Sequence, residues 1–232
     1  MKYVVLMASL PPLGSLFEAT TPPISRLKLE SRLGLLEAED LRTLERIANL
    51  IAWPSQPLER TDVDFIAEAH RFLDTNRNPI LRRLVTQRLE MRTIVAAFRR
   101  RRRGEAQPPT GEVWGFGEWV GMIERNWAAP TFKLEVIFPW VRQAHDLLEN
   151  DDLIGFEKLQ FSVVWAMLNR LGEGHAFDFE ALIIYLARWS LVSRWSCYKG
   201  EVAVARFREL VDAGLSDYRA SDYRDLVSGA SS

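Results

Sequence analysis

The chain has little of what sequence-readable chemistry is built from. Its 232 residues contain one cysteine and three histidines. A lone Cys197 cannot form an internal disulfide, which suits a reducing compartment, and its apolar neighbours predict a buried, inert thiol. His70, His145 and His175 form no His-x-x-x-His pair, and no second cysteine could join them at a zinc ion. His175 with Asp178, between two helices, reads as a capping or surface pair rather than a zinc site, while His145-Asp146 and Glu68-x-His70 read as exposed helix positions. No apolar run approaches the ~20 residues that a membrane span needs. The opening apolar run, Tyr3 to Leu10, is short and is closed by Pro11-Pro12, so it does not have the form of a signal peptide. The formal net charge is −1, so no overall field draws the chain to nucleic acid or to an anionic membrane. A cytoplasmic protein is the expectation.

Motif chemistry is equally sparse. Gly115-x-Gly117-x-x-x-Gly121 lacks the spacing of a dinucleotide loop and follows no strand, so it reads as tight packing around Trp114, Phe116 and Trp119. There is no GxxxxGK[ST] and no GxSxG, which removes the P-loop and the nucleophile elbow. The acidic group Glu37/Glu39/Asp40 falls in an opening helical turn, where negative charge complements the helix dipole. Asp151 or Asp152 would cap the helix that follows Glu149. The expectation is a non-enzyme with no catalytic, cofactor-binding or metal-ligating residues.

What is present is helix. Hydrophobic residues make up 47% of the chain and charged residues 26%, enough for a sizeable core without metals or disulfides. Residues 3–10 are either an extended segment or a first helical turn, and prolines make the stretch to residue 24 a loop. Ser25 is placed to cap a short helix ending before Gly34, and helical spacing continues from about Glu37 to Trp53. Thr61-x-x-Asp64 opens a helix to about Leu73, and Asn78-Pro79 opens the longest one, to about Arg103. Later helices are expected at 139–149, 153–171, 177–198 and 201–213, with the 177–198 helix apolar nearly all round and therefore central to its bundle. The only β-like pieces are 3–8 and 133–138. The fold class is all-α: a multi-helix bundle array with a short extended N-terminal segment. It divides into an N-terminal helical bundle (1–104), a linker (105–113), a C-terminal bundle (114–216) and a frayed tail (217–232), and the two bundles read as pseudo-repeats or as one continuous globule.

The sharpest feature is Arg99-Arg100-Arg101-Arg102-Arg103, which extends a basic face carrying Arg82, Arg83, Arg88 and Arg92. Three readings stand. The first is a solvated helix C-terminus, where cations suit the dipole. The second is docking to an acidic protein surface. The third is phosphate binding, in nucleic acid or a lipid headgroup, through Arg99–Arg103. An RNA site would want aromatics beside the arginines, and Phe98 lies on the apolar face instead. Eight tryptophans add a further interface signal, because Trp and Arg are the commonest interface anchors. The interaction candidates are Arg92, Arg99, Arg100, Arg101, Arg102, Arg103, Trp114 and Trp119.

The opening Met1-Lys2-Tyr3-Val4-Val5-Leu6-Met7-Ala8-Ser9-Leu10-Pro11-Pro12-Leu13, with Pro22-Pro23-Ile24-Ser25, resembles an uncharacterised bacterial family typically encoded beside V/A-type rotary ATPase subunits. Two further stretches resemble the C subunit of those ATPases, called d in eukaryotes. One is Leu89-Glu90-Met91-Arg92-Thr93-Ile94-Val95-Ala96-Ala97-Phe98-Arg99, leading to Gly104. The other runs from Phe179-Glu180 to Trp195, marked by Tyr185, Arg188 and Arg194. Together these touch scattered parts of nearly the whole chain. The chain is short for a three-bundle subunit, and the amide typical of the first helical motif is not evident. The resemblance implies an all-helical, non-catalytic collar in the central stalk that transmits torque between the rotor shaft (the D and F subunits) and the proteolipid ring. It implies rotor and ring subunits as partners, no nucleic acid, and a place peripheral to the cytoplasmic face of the inner membrane.

Overall fold

The computed structural model describes residues 2–51, 62–108, 111 and 113–198, with the side chains of 2 and 62 left out. Among these residues there are helices and turns and no strand. The elements are α1 (Lys2–Ser9), α2 (Arg26–Leu33), α3 (Ala38–Ile51), α4 (Asp62–Thr75), α5 (Pro79–Arg102), α6 (Val120–Arg125), α7 (Trp140–Glu149), α8 (Leu153–Leu171) and α9 (179–198). The all-α class is therefore as expected. Of the two readings open for residues 3–10, the helical one holds, and 133–138 is a series of turns. The expected helix at 201–213, the tail after 217 and the last expected residues of the 37–53 helix lie outside the described residues.

The described residues pack as two compact units, 2–10 with 26–187, and 11–25 with 188–198. The larger unit takes in residues on both sides of the 105–113 segment. Its longest helix, α5, starts where the sequence places it. Asn78 is extended at φ −70°, ψ 116°, its side chain accepts from the N–H groups of Ile80 and Leu81, and Pro79 occupies the first turn, where no N–H is needed. At 24 residues, α5 runs about 36 Å at 1.5 Å per residue. Its apolar stripe buries Leu81, Leu84, Val85, Ile94, Val95 and Phe98. Around the second half of that stripe gather Trp114, Ile123, Trp127, Phe132, Leu134, Val141 and Phe156, one continuous core in which Phe98 meets Phe132 edge-on at 5.0 Å. Asp152 caps α8, its Oδ1 accepting from Gly155 N at 2.7 Å.

In the smaller unit, the proline-rich loop is laced to the helix by its carbonyls. Trp189 Nε1 donates to Ile24 O at 2.9 Å and Trp195 Nε1 to Phe17 O at 3.4 Å, and the Phe17 ring stands edge-on to Trp195 at 5.2 Å. Two burial expectations need correction. Cys197 is exposed, because the buried face of its helix is set by Leu191, Val192 and Trp195, and position 197 falls off it. His145 is half-buried on α7 rather than exposed, next to the buried Val141 and Ala144 face.

Candidate functional site

The arginines of α5 are not one patch. Arg88, Arg92, Arg99 and Arg103 are separated by four, seven and four positions. Those steps return to nearly the same side of a helix with 3.6 residues per turn. With Arg100 they line a cavity of about 380 Å³. Leu50 and Ile51 of α3, Phe65 and Ile66 of α4, and Trp114, Gly115 and Phe116 supply the remaining wall. No Asp, Glu, His, Cys or Lys is among the described lining residues.

The wall at 114–116 is held against α5 by Thr93. Its Oγ1 accepts from Phe116 N at 2.8 Å and lies 3.1 Å from Phe116 O, so a buried hydroxyl is shared with the loop backbone. That approach demands glycine. A Cβ on Gly115 would sit 2.6 Å from Thr93 Cγ2, and one on Gly117, which has φ +97°, would sit 2.8 Å from Glu90 Cγ. Thus the glycine-rich stretch packs a loop, as its spacing suggested, and in doing so it builds one side of the cavity. Trp114, buried, points its indole N–H at Glu124 Oε1 (2.9 Å) and meets Trp127 edge-on at 6.1 Å.

Each lining arginine has a distinct environment. Arg88 is only 8% exposed, and its Nη2 donates to Ile51 O at 3.2 Å. The Arg92 guanidinium lies 4.1 Å from the centre of the Phe65 ring, a cation–π contact. Arg99 is exposed at the mouth. Arg100 and Arg103 share one carboxylate: Arg100 Nη1 is 3.1 Å from Glu105 Oε2 and Arg103 Nη2 is 3.2 Å from Glu105 Oε1. Guanidinium groups converging beside low-dielectric walls focus a positive potential, and each presents a fork matched to carboxylate or phosphate. The one hydroxyl among the described lining residues, that of Thr93, is engaged with backbone. Chemically, the lining sets guanidinium donors beside apolar side chains.

The remaining candidates go elsewhere. Arg101 turns away from the cavity, its Nη1 donating to Ala129 O at 2.6 Å and its Nη2 to Pro130 O at 2.7 Å, with its guanidinium 4.7 Å from the Phe132 ring centre. Burial pulls its pKa below the ordinary arginine value, and Glu149 opposes that. Arg102 pairs with Asp151. Trp119 packs edge-on to Phe138 at 5.5 Å and hydrogen-bonds Glu90. Arg82 and Arg83 are exposed and outside the lining. Sequence reasoning missed Arg88, Phe65, Phe116 and Thr93 as lining residues, and Glu105 as the carboxylate shared by Arg100 and Arg103. The spacing of the arginines carried the first of these, whereas the others depend on long-range packing.

A second cluster joins His175, Asp178 and Glu180, whose ligand atoms lie within 4.8 Å of one another. Of the capping and surface roles expected for His175 and Asp178, Asp178 takes the capping one. Asp178 Oδ1 accepts from Ala181 N at 2.8 Å, its Oδ2 is 2.7 Å from His175 Nδ1, and Glu180 accepts from Asn78. Burial pushes the Asp178 carboxyl up, but the Ala181 N–H and His175 outweigh it and hold it below its ordinary value. No helix among the described residues is long and apolar enough to cross a membrane. Comparisons with models of known protein families, with curated proteins and with solved structures find no match to this chain.

Proposed function

We propose that this protein is a non-catalytic docking component of a larger assembly, engaging an acidic partner through the arginine-lined cavity of α5. The observation that carries this reading is the convergence of five arginines on one cavity. An all-helical body with an apolar core suits a part that transmits force rather than one that performs chemistry. The resemblance of the opening motif and of the 89–99 and 179–195 stretches supplies the assembly. It is a bacterial V/A-type ATPase, in which the chain acts as a central-stalk, C-subunit-like piece or accessory factor between rotor shaft and proteolipid ring, at the cytoplasmic face of the membrane. Phosphate binding by nucleic acid or anionic lipid is the second reading, favoured by the open mouth at Arg99 and Arg103.

A tagged pull-down from the native host in mild detergent, read by mass spectrometry, tests the first reading. Rotor and ring subunits recovered in fixed ratio, and lost from an R99E/R103E variant whose far-UV CD and melting are unchanged, are the expected result. Partial assemblies alone would make it an assembly factor. Recovery of no ATPase subunit overturns the assembly, and an R99E/R103E variant that still recovers its partners overturns the docking surface.

A further inference from the structure

We draw no further inference here: the strongest candidate, the His175, Asp178 and Glu180 side-chain cluster at the start of α9, is a helix-capping carboxylate with its hydrogen-bonded neighbours, and no second observation among the described residues points to a ligand there.

Discussion

Five consecutive arginines, Arg99 to Arg103, do three different things, because successive residues on a helix point about 100° apart. Arg99, Arg100 and Arg103 face the cavity, Arg101 binds the carbonyls of the 127–130 turn, and Arg102 meets Asp151. The basic run was plain in the sequence, but its division was not. The carbonyls that hold Arg101 lie 28 and 29 positions away, and no local pattern announces them. R101A removes charge-assisted bonds to backbone oxygens and a cation–π contact, and is expected to cost about 2 kcal/mol of stability by urea unfolding. R99A, at the exposed mouth, is expected to change stability by less than about 0.5 kcal/mol. Equal effects of the two would refute the division. Glu90 gives a second test at this scale. Burial raises its carboxyl above the ordinary value, Glu118 raises it further, and the Trp119 indole N–H opposes both. A carboxyl whose folded pKa is raised binds protons more tightly in the folded state, so its ionisation disfavours folding once pH climbs past the unfolded value of 4.5. E90Q keeps an oxygen for Trp119 and loses the charge. It is expected to melt higher than wild type at pH 7, with the gap closing as pH falls toward that value, and a pH-independent gap would remove the electrostatic cause.

Among the helices, legibility followed the strength of local signals. α5 was read with its Asn78 cap and its end near Arg103, and α8 with both boundaries, its cap expected at Asp151 or Asp152 and found at Asp152. α6 was not read. Its six residues, Val120–Arg125, follow Trp119 without a side-chain cap, and Ile123 among them is completely buried. α1 was ambiguous because a short apolar run fits strand or helix equally. Long-range contacts decide it: Leu6 is 1% exposed, and the Tyr3 hydroxyl donates to Asp40 Oδ2 at 2.7 Å. The cavity sits between these cases, with its arginine face visible as a spacing and its aromatic wall visible only once α4 and the 114–117 loop are folded against α5. N78A removes a cap bonded to two N–H groups and a partner of Glu180. It is expected to cost about 1–2 kcal/mol, measured as a lower urea midpoint at unchanged m-value, and N78S should restore most of it. An N78A protein as stable as wild type would show that Pro79 and the packing of Leu81 suffice to start the helix.

At the scale of the whole molecule the charges nearly cancel, with 30 basic against 31 acidic residues and a net charge of −1. An electrostatic attraction for an acidic partner would therefore be local, and the patch proposed for it is the α5 cavity. Locality has a measurable signature in salt dependence. The Debye length is about 10 Å at 0.1 M salt and about 3 Å at 1 M. The mouth arginines Arg99 and Arg103 are then screened from an approaching partner, whereas the half-buried bonds of Arg101 and the 8% exposed Arg88 are screened far less. The association rate with an acidic partner is expected to fall about tenfold between 0.05 and 0.5 M salt, a modest drop for a surface that steers with only a few charges. Over the same range the melting temperature should hardly move, because the fold rests on an apolar core. R99E/R103E should bind slowly at low salt and lose nearly all salt dependence. If association were instead salt-insensitive in the wild type, the arginines would serve the fold alone. If melting fell in parallel with binding, the five guanidiniums of the cavity would be part of what holds α3, α4 and α5 together, and the division between the arginines that bind and those that brace would have to move to Arg99 alone.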